Sequence, residues 1–512
     1  MSESNPHRTR HRRRRALVSL AAVASTVGAG VTALAPATAH AAPAPSPLVL
    51  TMPKHVEMTS EDGYVFDYGS DYSGGGSVSL TAVGADFSLW SHRARWNADI
   101  TTQVRHGSVT TNLPAGSMKS WQGLHRFLDV TVRTPTGRRL VHVLPTICLA
   151  GESTRVVPDG AAHSTYPQGC PGNPYTLGSV QGIAKGWATQ VQTFGDRPVK
   201  LKPGRYVMTV RIRRSYQKAF GMAPADAQRT VKLRVTKGEE EDGRRAADHR
   251  RTSEHDRSRV AKPASETGPT GRRLTAAPDG PRPDLASLPA WGIGLTGRYG
   301  NRLAFSATEW NGGTSPLVVD GFRRPGKDIM NAYEYFYDSD GNQLGYQPVG
   351  TMKWDPRPTH QHWHFEDFAR YRLLNANKVS IQRSHKEAWC LANTDAVDYT
   401  IPEANWRPDS TDLATACGGH EAPAVREVLD TGSGDTYDQY RAGQAFDLHN
   451  IPNGIYYISV EVNPNGRLVE SDTTNNVALR KIKLGGRTNH RTLKVYKKGK
   501  VTEGSRYAED DF

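Results

Sequence analysis

The sequence predicts an all-β protein: two antiparallel, β-sandwich-like domains joined by a disordered, charged linker. Three observations carry this. Short alternating runs such as "FLDVTVRT", "RYVMTVRIRR", "LVVDGF" and "IYYISVEVN" are bounded by Gly, Pro, Asn or Asp, and no long helical pattern competes. The four cysteines fall as Cys148 and Cys170 in one half and Cys390 and Cys417 in the other. Between Lys237 and Pro283 the chain has no aromatic residue, mixes both charges and turns rich in Pro and Gly, as a linker does.

Taken in order, residues 1–41 form a basic stretch ending at Arg15, a small-residue apolar run and "AHA" at Ala39–Ala41. That is the layout of a cleaved export signal, and the alternative is a membrane anchor. No later stretch reaches the roughly 20 apolar residues that span a bilayer. The formal charge of +14 includes six arginines against Glu3 in this segment, so +9 remains after cleavage. So diffuse a positive charge suits adsorption to an anionic cell-wall or matrix polymer and does not argue for nucleic acid. The protein is expected outside the cell, in solution or at the cell surface. An even cysteine count in that compartment reads as disulfides Cys148–Cys170 and Cys390–Cys417, with a thiolate metal site as the alternative.

Residues 45–236 form the first domain, 237–283 the linker, 284–486 the second domain and 487–512 a polar tail. The two domains line up with each other. "ICLAGES" (147–153) matches "WCLANTD" (389–395), Cys170 to Gly186 spans 16 residues and Cys417 to Gly434 spans 17. "LKPGRYVMTVRI" (201–212) then falls where "IPNGIYYISVEV" (451–462) falls. An internal duplication accounts for this; two unrelated β domains with one disulfide each is the alternative.

The stretch "THQHWHF" (359–365) sets His360, His362 and His364 at alternate positions. Alternate residues of a strand share one face, so two such imidazoles can grip one ion. The third is a geometric difficulty: on a straight strand His360 and His364 would stand about 13 Å apart. The segment must therefore bend, and Pro356 and Pro358 mark irregular backbone just upstream. Trp363 and Phe365, facing the other way, would anchor it. Three surface histidines are the bland alternative.

Four further segments sharpen the choice. "HQHWHFEDFARYRLLNA", "SHKEAWCL", "GSGDTYDQY" and "VNPNGRLVESDTTNN" together resemble the catalytic domain of the lysyl oxidases, in the same order and over most of 284–486. The resemblance implies that His360, His362 and His364 are copper ligands. It implies that Lys386 and Tyr437 are cross-linked into lysine tyrosylquinone. It also implies a calcium site at Asp284, Leu285, Glu470, Asp472, Asn475 and Asn476, for which a polar turn is the bland reading of "ESDTTNN". Copper stands at the top of the divalent affinity order for such ligands, and zinc cannot do the redox work. His385 is a candidate fourth ligand or proton acceptor, against an ordinary surface histidine. Asp435 is the candidate general base, with Glu366 and Asp367 as competitors.

The expected function is a secreted amine oxidase that converts primary amines, peptidyl lysine among them, to aldehydes with O2, releasing hydrogen peroxide and ammonia. The alternative is an extracellular metal- or wall-binding protein without oxidase activity. Two departures from the family stand out. Only Cys390 and Cys417 lie around these motifs, and Lys386 to Tyr437 spans 51 residues, the excess falling in "DYTIPEANWRPDSTDLATACGGHEAP". Aligned through its cysteine or through Gly186, the first half has Leu144 in place of Lys386 and Thr189 in place of Tyr437. It keeps one histidine, His125, where the second half has three. It reads as a non-catalytic copy.

Overall fold

The computed structural model describes residues 46–65, 78–195, 197–238, 262–357, 361–384, 388–407, 415–439, 443–487, 490–501 and 503. The export signal expected over 1–41 and linker residues 239–261 lie outside them. Pro45–Phe512 form one compact unit. Among the described residues strands dominate, one seven-residue helix (Arg214–Phe220) is present, and no helix is long and apolar enough to cross a membrane.

Each half gathers three sheets around its own core. In the first half these run, in strand order, 48–51/78–82/187–191/153–155, then 139–143/128–133/204–212/228–237/55–61/64–65/199–200, then 178–183/87–92/101–106/109–112. Alternate residues such as Val130, Val132, Met208 and Val210 point inward, as the period of two requires. In the second half the orders are 285–287/302–311/433–437/395–396, then 380–383/369–374/454–462/477–487/490–495, then 362–365/343–355/329–337/317–323/424–429. Its core takes Phe305, Ala307, Trp363, Phe368, Tyr371, Trp389 and Ile458.

The leading strands of the corresponding sheets follow the same order with matching register, although strand 228–237 is extended by the parallel strand 55–61 in the first half and 477–487 by the antiparallel strand 490–495 in the second. Leu124 bridges Ile147 just before Cys148, and Phe365 bridges Trp389 just before Cys390. Leu128 faces Ile212, and Ala369 faces Val462. Gly186 donates to the Ala82 carbonyl and Gly432 to that of Asn311, each glycine at positive φ in a tight turn between strands. Both disulfides form as expected, Cys148–Cys170 and Cys390–Cys417.

This register corrects two alignments. The glycine that matches Gly186 is Gly432, not Gly434, so Thr189 corresponds to Asp435 and Val191 to Tyr437. His125 corresponds to Glu366, and the places of His362 and His364 are taken by Trp121 and Gly123. A side chain at Gly123 would meet the Ile147 carbonyl oxygen, since its Cβ would lie 2.0 Å away.

Two boundaries also move. Residues 262–283, expected in the linker, are described: Arg273 bridges Tyr346 and Leu274 is buried. The segment expected as a tail supplies strand His490–Val495, which pairs with 477–487 and packs Leu493 and Val495 on the core. An edge strand needs only one half-buried face, so its polar composition concealed it.

The halves meet through the segment that exceeds the family spacing. Gly178 pairs with Asp398, and Leu177 donates to the Val397 carbonyl at 2.6 Å. Trp406 stacks on Tyr166 and meets Trp90 edge-on. Buried Asn173 donates to Thr308 Oγ1 at 2.8 Å, and Thr308 Oγ1 in turn bonds Thr436 Oγ1 at 2.6 Å. The first half is thereby fastened to the back of the sheet that carries Asp435 and Tyr437.

Candidate active site

Strand His362–Phe365 is the edge strand beside 343–355. Gln361, immediately before it, has φ 40°, and its N–H reaches the Arg357 carbonyl at 3.2 Å. The backbone thus turns just where a three-histidine motif needs a bend. His362 and His364 share a face, with their Nε2 atoms 2.8 Å apart. Trp363 and Phe365 are buried, and Trp363 Nε1 donates to the Gly419 carbonyl. His364 is buried too, and its Nδ1 faces Asp355 Oδ2 at 3.4 Å. A carboxylate behind the distal ring nitrogen is the usual way to orient a metal-ligating imidazole. Convergent Nε2 atoms with such backing fit a copper ion held by imidazoles. His360 lies outside the described residues, and among those described no group of three or more His, Cys, Asp or Glu side chains is placed to hold a metal.

Arg357 grips Asp355 through Nε, at 2.8 and 3.0 Å from the two carboxylate oxygens. The hydrogen bond to Asp355 first, with the Coulombic pull of Asp355 and Tyr437, holds its guanidinium above the usual value, against burial. Arg357 therefore links the histidine pair electrostatically to Tyr437. A fixed cation beside a phenol favours the phenolate.

Tyr437 ends the central strand Ser433–Tyr437 and is almost fully buried. Its hydroxyl accepts the Cys390 N–H at 3.1 Å, and its ring centroid lies 4.2 Å from that of Trp389. The disulfide joins the two parts of the site, because the Trp363 N–H bonds the Cys417 carbonyl at 3.0 Å while Cys390 holds Tyr437. Lys386 and His385 lie outside the described residues, in the segment that leads into Trp389.

Asp435 shares a strand face with Tyr437, two residues away. It is buried and accepts from the Ala392 N–H at 3.2 Å and Thr394 Oγ1 at 3.3 Å. Its competitors are engaged elsewhere. Glu366 accepts from Thr351 Oγ1 and pairs with Lys353 at 3.2 Å, and Asp367 pairs with Arg467 at 3.1 Å and accepts from Asn465.

Three residues that sequence reasoning missed stand behind Asp435. Glu309 faces it directly across the strand pair. Tyr371 and Gln444 are also fully buried. One signal for Glu309 was present: strand 302–311 alternates Leu303, Phe305 and Ala307 into the core, and the next inward position is an acid.

The proposed calcium residues do assemble. Asn475 Nδ2 donates to Asp284 Oδ1 at 3.0 Å, and Glu470 accepts from the Leu285 N–H at 3.2 Å and from Asn476 Nδ2 at 2.8 Å. The Oδ1 atoms of Asn475 and Asn476 are buried without a hydrogen-bond partner. Burial above all raises the Glu470 carboxyl, and Asp284 adds to this. Orphaned amide oxygens beside two carboxylates suit a hard cation. Asp472 stands apart, accepting from its own turn at Thr474.

Comparison with known proteins agrees with this geometry. Residues 340–493 match the lysyl oxidase family model. Human protein-lysine 6-oxidase is 32% identical over 135 residues, 26% of this chain and 28% of that protein. Lysyl oxidase homolog 2 of Gallus gallus is 30% identical over 162 residues, 31% of this chain and 18% of that protein. Lysyl oxidase homolog 2A of Danio rerio is 29% identical over 146 residues, 28% and 18% of the two chains. The matched stretch thus spans under a third of each of these relatives. It includes the histidine strand, Tyr437 and the disulfide Cys390–Cys417, and residues 340–493 place the C-terminal region of this chain in the lysyl oxidase family.

Proposed function

We propose that the protein is an exported, copper-dependent amine oxidase whose organic cofactor is lysine tyrosylquinone made from Lys386 and Tyr437. The observation that carries the reading is the convergence of His362 and His364 in a framework that also fixes Tyr437 through Cys390. The name of the human relative, protein-lysine 6-oxidase, supports a primary amine, peptidyl lysine included, as substrate. The overall conversion is RCH2NH2 + O2 + H2O to RCHO + NH3 + H2O2. Copper on the histidines would supply the oxidation of the Tyr437 ring by O2, and the resulting quinone the carbonyl that the amine attacks.

The chain's own residues do the rest. The Cys390 N–H and the Arg357 guanidinium stabilise negative charge on the Tyr437 oxygen, and Trp389 holds the ring in one plane. Asp435, held by Ala392 and Thr394, accepts the proton from the substrate's α-carbon. Asp284, Glu470, Asn475 and Asn476 would hold calcium, with the Leu285 carbonyl and Asp472 as further candidate ligands.

Peptide mass mapping after copper and O2 treatment tests the reading: a Lys386–Tyr437 cross-linked peptide is expected, together with amine-dependent peroxide. Both residues recovered unmodified, with no peroxide, would leave the chain a binding protein.

A further inference from the structure

Glu309 has no structural reason to be an acid. The duplication supplies the control: its counterpart in the first half, by the register that matches Ala82 with Asn311, is Leu80, fully buried in the same place in the same sheet. Tyr371 has Val130 as counterpart, Asp435 has Thr189 and Tyr437 has Val191. The framework therefore closes with a leucine, two valines and a threonine where the second half carries two carboxyls and two phenols.

The acid sits where an ionised group is costly. Glu309 is fully buried, and neither of its oxygens makes a hydrogen bond of ordinary length; the same is true of the Tyr371 hydroxyl and both polar atoms of the Gln444 side chain. Tyr371 is nonetheless close enough to Glu309 to bias its ionisation. Directly opposite residues of an antiparallel pair have Cβ atoms about 5 Å apart, so the Glu309 and Asp435 carboxyls are neighbours. Two carboxylates at that distance in a buried site do not both ionise. The titratable groups facing the pair are Tyr371 and Tyr437, with Arg357 beyond Tyr437. Burial first, then Asp435, hold the Glu309 carboxyl well above the usual carboxylate range. Asp435 has N–H and O–H donors of its own, from Ala392 and Thr394, so the charge belongs on Asp435 and the proton on Glu309.

We propose that Glu309 is a positioning residue that works as a neutral acid: it keeps the buried pair at a single negative charge and leaves Asp435 ionised as the proton acceptor. This rests on the amine oxidase reading. In the step it serves, Asp435 gains an O–H bond from the proton leaving the substrate's α-carbon. The C–H electron pair passes to the oxidised Tyr437 ring, and O2 later removes both electrons, with two protons, as hydrogen peroxide. Glu309 begins and ends with its proton. Strand 302–311 lies outside residues 340–493, which match the family model.

The test uses the full, copper-loaded chain with Glu309→Gln and Glu309→Leu, the second being the residue that the first half tolerates. Infrared spectra at pH 7 should contain, besides the band of the protonated Glu334 carboxyl, a second protonated-carboxyl C=O component that both variants lose. Glu309→Gln, still a neutral donor, should keep kcat within about threefold while the alkaline limb of its pH profile disappears. Glu309→Leu should lose roughly tenfold in kcat, with the acid limb displaced to higher pH because the Asp435 anion then faces hydrocarbon where it had a polar neighbour. Superimposable pH profiles in all three proteins, or no such second component in the wild type, would overturn the proposal. Failure of the oxidase reading looks different: no peroxide and no Lys386–Tyr437 cross-link in the wild type, whatever the infrared band does.

Discussion

The two halves share the order and register of their leading strands, a disulfide and a turn glycine, and among the positions at which they differ seven carry the contrast. Where the second half has His362, His364, Glu309, Glu334, Tyr371, Asp435 and Tyr437, the first has Trp121, Gly123, Leu80, Val104, Val130, Thr189 and Val191. The difference separates what the fold needs from what the chemistry needs. A framework that closes on leucine and valine has no use for buried acids, so those in the second half cost stability and are kept for another purpose.

The sharpest way to break the comparison is at Tyr437. Tyr437→Phe keeps the ring that packs on Trp389 and removes the oxygen. Amine-dependent peroxide should fall to background while the near-ultraviolet circular dichroism is unchanged; retained activity would disconnect Tyr437 from the chemistry.

A histidine imported into the first half makes the converse test. Gly123→His would place Cβ against the Ile147 carbonyl at a φ of 116°. A loss of about 4 kcal/mol in urea unfolding is expected, the range of severe steric and backbone clashes. A well-tolerated histidine there would show that the first half lost its ligands by drift rather than by closing the space.

Glu334 tests the same contrast through pH. Burial, with Glu470 adding to it, pushes its carboxyl up to about 8, whereas its counterpart Val104 cannot titrate. The folded-state value lies above the unfolded one, so the folded protein holds the extra proton between about pH 4.5 and 8. Stability must therefore fall as pH rises through that window and level off above it. Glu334→Gln, measured by urea midpoint with a chelator present, should flatten this slope and recover a few kcal/mol at pH 8. An unchanged slope would place the proton elsewhere.

The smallest effect expected is at the join. Asn173→Ala removes the amide that fastens Thr308 and, through it, Thr436. A loss of about 1–3 kcal/mol is expected from leaving a buried polar group without its partner. No change in melting temperature would mean that the apolar contacts of Tyr166 and Trp406 carry the join alone.

Much of this was legible in the sequence because it rests on local signals. Alternation marks strands, cysteine spacing marked both disulfides, and "HQHWH" with "DTY" pointed to the candidate site. The register between the halves was not legible, because Gly432 and Gly434 both lie in "GSG" and only the hydrogen bond to Asn311 decides between them. Glu309 stood in plain view, but an acid among alternating apolar residues reads as a surface position until the sheet's inner face is known. Residues 395–407, which run into the segment in excess of the family spacing, form the seat of the first half, a long-range contact with no local signature.

That seat also gives the join between the halves a direction. The contact is head to tail: the first half offers Asn173, Tyr175 and Gly178, and the second receives them along 395–399. Contacts of that kind, repeated, extend without limit instead of closing on themselves. Here both free ends are blunted. Along 419–424, where the second half would make the same offer, the residues are Gly419, His420, Glu421, Ala422, Pro423 and Ala424, and the sheet face that holds Trp90 and Val180 in the first half holds the ion pair Arg426–Asp320 instead. At the other end, the counterpart of buried Val397 is Val156, which is 51% exposed with nothing seated on it. Each half thus differs, at the face it does not use, from the face that makes this contact in the other half.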